Sequence, residues 1–199
     1  MSLKAFPCSI LVATFLVSSC GGKEEPQGRS AVQVQEASAS RQAAGPITFV
    51  ADTGWEGVPT KSSMRLAQFR LPKAAGDAED GELVLYFFGS LQGGDAQANL
   101  DRWIGQIEQP DGRASKDLAK VERWDQAELK LTLVDLTGTY VAETSPGSGE
   151  RYNKPGFRLI ATVAETPGGS VYFKATGPEK TIANWRESIG QMLRSVRGS

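Results

Sequence analysis

The sequence holds no histidine among its 199 residues and only two cysteines, Cys8 and Cys20. Without histidine the chain lacks the commonest general base and the commonest transition-metal ligand. A Ser-His-Asp triad is therefore excluded, and no serine is framed as Gly-x-Ser-x-Gly. Neither sign of charge is in excess, with 22 basic against 23 acidic residues. The basic stripe that nucleic acid demands is missing, and no nucleic-acid partner is expected. Long apolar runs are also lacking. Ile10 to Val17, broken by Thr14, falls short of the roughly 20 residues that cross a bilayer as a helix.

That short run has the features of a leader. Residues 1 to 19 combine a basic Lys4, the apolar stretch, and small residues at Ser18 and Ser19, which reads as a signal peptide. Leu16-Val17-Ser18-Ser19-Cys20-Gly21 resembles the lipobox of bacterial lipoproteins. The resemblance implies cleavage before Cys20 by signal peptidase II and acylation of Cys20 with a diacylglycerol carrying fatty chains such as palmitate. Cys20 is thus the one assigned site, a lipidation site, and membrane lipid is the first expected partner. An ordinary secretory signal cut after Ser19 is the alternative.

Gly21 rather than aspartate after the cysteine implies sorting to the outer membrane, facing the periplasm. Cys8 would leave with the leader, so the mature domain would have no thiol, disulfide or zinc ligand. Loss of Lys4 would leave 21 basic against 23 acidic residues. Residues 20 to 45, rich in Gly, Lys, Glu, Gln, Ser and Ala with two valines, bury too little apolar surface to offset ordering entropy and read as a disordered tether. Such a segment reaches on the order of 25–30 Å.

A single domain is expected over residues 46–199. Ile47 to Val50 reads as a short strand, and Trp55 follows in a turn-rich segment as a plug over one edge of the core. Met64 to Leu71 alternates as a strand. Glu82 to Phe88 is apolar on both faces, as in a central strand. Asp95 is placed to cap a helix that carries Leu100, Trp103, Ile104 and Ile107 on one face and ends at Pro110. Ser115 to Gln126 suits either a helix or a lead into a strand. Across Glu128 to Leu136 the leucines at 129, 131 and 133 alternate with Lys130, Thr132 and Val134, a strand with one buried face, with a short extended piece at Thr139 to Ala142. Glu143 to Gly156 is a long loop and the first place to look for function. Phe157 to Ala164 and Ser170 to Ala175 form a hairpin around Pro167-Gly168-Gly169. A last helix from Pro178 carries Ile182, Trp185, Ile189, Met192, Leu193 and Val196 as its apolar stripe.

These elements define an α+β fold, an antiparallel sheet of about six strands covered by two main amphipathic helices. The element order, the early Gly-Trp segment at Gly54-Trp55 and the closing strand-Gly177-Pro178-helix resemble the PsbP-like arrangement. That resemblance implies an α/β/α-like layering and no functional residues.

Most signatures of catalytic chemistry are missing from the sequence. Gly89 to Asp95 has no lysine for a phosphate loop, and Asp95 already places negative charge at the helix start. Asp77, Glu79, Asp80 and Glu82 fail the spacing of a calcium loop, whose first and third positions would be Gly76 and Ala78. Trp103 and Trp185 belong to helix stripes, which leaves Trp55 and Trp124 as candidate stacking residues. No catalytic, cofactor-binding or metal residue is assigned and no cofactor is expected. The expected function is a membrane-anchored envelope lipoprotein acting as a non-enzymatic binding or assembly module for an envelope protein or small ligand. The alternative is an envelope hydrolase using paired carboxylates.

Overall fold

The computed structural model describes residues 40–90 and 95–199. The leader, Cys20 and residues 20–39 of the expected tether lie outside the described residues, as do Gly93 and Gly94. Strands are β1 (Arg41–Ala44), β2 (Ile47–Val50), β3 (Glu56–Gly57), β4 (Arg65–Leu71), β5 (Gly81–Phe87), β6 (Ile107–Glu108), β7 (Lys120–Gln126), β8 (Leu129–Tyr140), β9 (Lys154–Thr166), β10 (Gly169–Pro178) and β11 (Arg197–Gly198). Helices are α1 (Ala96–Ile104), α2 (Ser115–Leu118) and α3 (Glu179–Ser195).

The main sheet runs β3-β4-β5-β10-β9-β8, and both β6 and β7 pair with the far edge of β8. All of these pairings are antiparallel. The sheet therefore has eight strands rather than about six. The additional ones have physical reasons. Ser115 to Gln126 resolves into both readings at once, the short α2 and then β7. Ile107 is buried as expected, but from a strand paired with Tyr140 rather than from the helix. The helix stops at Gly105, whose N–H donates to the Asp101 carbonyl at 3.0 Å, and glycine propagates a helix poorly.

Alternation along the strands divides the core between the two faces of the sheet. One face carries Leu83, Leu85, Leu131, Leu133, Ile160, Val171 and Phe173, covered by Ile182, Ile189, Met192 and Leu193 of α3. The other carries Val134, Leu159, Ala161, Val163 and Tyr172, covered by Leu100, Trp103 and Ile104 of α1. The expected stripe of α3 is buried except for half-buried Trp185, whose Nε1 donates to the Pro72 carbonyl at 2.9 Å. Asp135, also on the α3 side, is buried and accepts from Arg158 at 2.7 and 2.6 Å and from Arg186 at 3.2 Å. A buried carboxylate so paired ties β8, β9 and α3 together, and removing one partner would strand the others.

A second, three-stranded sheet, β1-β2-β11, places Ile47 and Phe49 against the end of α3. Strand pairing thus begins at Arg41, ahead of the expected boundary at residue 46, because Arg41 to Ala44 pair with Val50 to Ile47.

Candidate functional site

Helix α1 covers only part of its face of the sheet, and the uncovered part is a cleft. Successive outward positions of β10 show the change of environment. Tyr172 lies under α1 against Trp103, with ring centroids 5.9 Å apart. Lys174, two residues on, points the same way but lies beyond the end of the helix, with Gln106 directly above it. Its neighbours across the sheet are Val84 on β5 and Ala161 on β9. The loop between β8 and β9 closes the other side. That loop is held by the bridge between Glu143 and Arg151, by Thr144 N–H donating to the Glu150 carbonyl at 2.9 Å, and by Tyr152 N–H donating to the Ala142 carbonyl at 2.9 Å.

Two lobes meet over Lys174. One, of about 670 Å³, is walled by Tyr86, Phe88, Trp103 and Tyr140, with Arg102 and Arg151 at its rim. The other, of about 290 Å³, runs past Tyr152, Lys154 and Phe157 towards Glu79, Asp80 and Glu82. Tyr86, Tyr140, Glu143, Pro146 and Lys174 border both. The walls are ordered by stacking. Tyr140 stacks with Tyr152 at 5.7 Å and Phe157 at 5.9 Å, and Tyr86 stacks with Phe88 at 6.1 Å.

Lys174 is the unusual group. Some of its side-chain surface opens to the cleft, but the ammonium is enclosed. It donates to Gln106 Oε1 at 2.5 Å and to the Tyr140 hydroxyl at 3.2 Å, and it lies 5.2 Å from the centroid of the Tyr140 ring. Both partners are neutral. Desolvation, which disfavours a charged amine, lowers its pKa to about 8, with the charges of Arg102 and Arg65 acting in the same direction and Glu82 against it. Burial likewise pushes the Tyr140 hydroxyl up to about 12.

The carboxylates around the cleft are, by contrast, engaged. Glu79 accepts from Lys154 at 2.6 Å, Asp80 from Arg70 at 2.8 Å and from Lys73 N–H at 2.9 Å, Glu82 from Gln68 at 2.6 Å, and Glu143 from Gly147 N–H at 2.8 Å. Asp77 points elsewhere. It accepts from Thr181 N–H at 2.9 Å and Thr181 Oγ1 at 2.6 Å, which makes it a cap for α3 supplied from 104 residues away. Asp77, Glu79, Asp80 and Glu82 are therefore split between a helix cap and ion pairs. No group of three or more His, Cys, Asp or Glu side chains able to hold a metal occurs among the described residues.

The two candidate tryptophans are not brought together. Trp55 is buried against Phe69 at 5.7 Å, on the α3 side of the sheet. Half-buried Trp124 donates to Gln126 Oε1 at 2.8 Å, and Gln126 Nε2 in turn donates to the Leu193 and Val196 carbonyls at the end of α3. The long loop does border the cleft, through Glu143, Pro146 and Tyr152. Sequence reasoning missed Lys174. The available signal was a lysine standing between Phe173 and Ala175 in a strand apolar on both faces.

No protein-family model matches the sequence, and neither does any curated protein sequence. Solved structures do. Cyanobacterial PsbP (CyanoP) from Synechocystis sp. PCC 6803 superposes with a TM-score of 0.50 at 15% identity, over 88% of this chain and all of its own. PA94 from Pseudomonas aeruginosa, a protein of unknown function, superposes with a TM-score of 0.41 at 13% identity, over 79% of this chain and 94% of its own. The likeness to CyanoP shows a PsbP-like fold, as the order of elements implied. Identity this low carries the fold alone.

Proposed function

We propose that this chain is a lipid-anchored lipoprotein of the cell envelope, held through Cys20 at the periplasmic face of the outer membrane, and that its domain is a non-enzymatic binding or assembly module. The pairing around the cleft carries the second half of this reading. A carboxylate hydrolase needs one acid that keeps its proton and one with lone pairs free for water or substrate. Glu79, Asp80, Glu82 and Glu143 each already accept a hydrogen bond from a cation, an amide or a backbone N–H of the protein itself, so none of them stands as an unengaged acid facing the cleft. A concave, aromatic-walled cleft with a few converging polar groups is instead the usual form of a ligand site.

The test is crosslinking of the native protein in its own membrane followed by mass spectrometry, alongside Cys20→Ser. The reading expects a recurrent envelope partner or retained small ligand, and loss of membrane retention in a still folded variant. Turnover of an envelope glycan or peptide that disappears when Glu82 and Glu143 are both changed to glutamine would overturn it in favour of hydrolysis.

A further inference from the structure

The cleft is asymmetric in charge once its internal pairs are set aside. Its acids are engaged as described, and Lys154 is taken up by Glu79. Arg65 lies 3.6 Å from Glu82 and over the ring of Tyr86. Arg151 is shared between the Val141 carbonyl and Glu108. Two cations remain with neutral partners only among the described residues. Lys174 donates to Gln106 and Tyr140, and Arg102 donates to Asn99 Oδ1 at 2.8 Å. Both face the larger lobe.

An ammonium has three donors. The two bonds of Lys174 leave a third, and Lys174 borders both lobes of the cleft. An enclosed cation without a carboxylate is unfavourable in the empty protein, and an anion entering the cleft would relieve that cost. Arg102 is close enough for its charge to depress the protonation of Lys174, so a single anionic group can lie within the field of both. The rest of the lobe is Tyr86, Phe88, Trp103 and Tyr140, which suits a flat apolar body rather than a second charge.

We propose that this cleft binds a small organic anion, a carboxylate carried on a planar apolar body, with the carboxylate on Lys174 and Arg102 and the body among Tyr86, Phe88 and Tyr140. The inference rests on the reading of the domain as a binding module and names the chemical class of its ligand. It does not depend on the anchor, so it can fail while the lipoprotein reading stands.

The probe is 2-naphthoate, titrated into the full chain by calorimetry and by NMR, against its neutral isostere 2-naphthalenemethanol. The expected result is saturable binding of naphthoate at least about tenfold tighter than the alcohol, as a charge-assisted contact provides. Lys174→Met should reduce naphthoate affinity by about tenfold or more and so narrow or abolish the preference for acid over alcohol. Arg102→Gln, on an exposed side chain, should reduce it several-fold. Equal affinity for acid and alcohol, naphthoate affinity untouched by both variants, or no naphthoate binding at millimolar concentration would each overturn the proposal.

Discussion

Replacing Asp77 with alanine should destabilise the domain although the residue lies in an acidic turn far from α3 in sequence. Helix α3 begins after Pro178, which has no side-chain cap to offer. The orphan N–H of Thr181 finds its acceptor in Asp77 Oδ2 at 2.9 Å, and the Thr181 hydroxyl donates to the same oxygen at 2.6 Å. Thr181 is 0% exposed, and its hydroxyl also accepts from Ala74 N–H at 3.0 Å, which anchors the turn. Loss of a cap is worth about 0.5–2 kcal/mol, and a buried donor left unpaired about 1–3 kcal/mol. Asp77 is half-buried, so water can replace part of what is lost, and the expected total is about 2–3 kcal/mol.

Asp77→Asn keeps an acceptor and loses only the charge beside the helix N-terminus, about 0.3–1 kcal/mol. Equilibrium unfolding in urea should show a lower midpoint for both variants at unchanged slope, with alanine well below asparagine. An alanine variant within about 0.5 kcal/mol of the parent, or equal effects of alanine and asparagine, would refute the cap.

Two further outcomes follow from local geometry. Ala127 and Glu128 turn β7 into β8 with φ of 45° and 65°, a region unfavourable to both, so Ala127→Asn with Glu128→Gly should stabilise by about 1 kcal/mol or more in the same urea experiment. A Cβ at Gly138 would lie 2.6 Å from both the Glu108 carbonyl oxygen and Ile107 Cγ2, so Gly138→Ala should push β6 off β8 at a cost of about 1–3 kcal/mol, seen as faster exchange of the Val141 amide, which donates to the Gln106 carbonyl at 2.8 Å.

Stability should also respond to pH through Lys174. Its folded pKa, about 8, lies below the ordinary 10.5, so the unfolded chain binds more protons between these values and stability should rise with pH over that window. Above pH 10 the raised Tyr140, at about 12, acts oppositely, because the unfolded chain then releases its phenolic proton first. Lys174→Met should abolish the rise between pH 8 and 10 in thermal melts, and a rise of undiminished size in that variant would assign it to other groups.

How far the sequence disclosed the fold depended on whether its signals were local. The hydrophobic stripe of α3, the doubly apolar Leu83 to Phe88 and the Gly168-Gly169 hairpin carry their structure in their own spacing, and their places were legible. The β7-β8 hairpin was not, because Ala127-Glu128 stands where Asn-Gly would announce a turn and the strain is offset by seven paired residues on each side. Gly138 misled in the other sense. It suggested a break between two strands, whereas it allows one long strand to pass close under β6. The acidic turn was recognisable as not a calcium loop, but its task, capping a helix 104 residues distant, is a tertiary fact. Lys174 was hidden for the same reason. Its parity put it on a covered face, yet only the stopping of α1 at Gly105 turns that position into the floor of a cleft.

The anchor is tested most directly by mass spectrometry of the N-terminal peptide of the protein purified from its native membranes. The account predicts a peptide that begins at Cys20 and carries a diacylglycerol thioether. A mature protein that begins elsewhere, or begins at Cys20 with a free thiol, would contradict it.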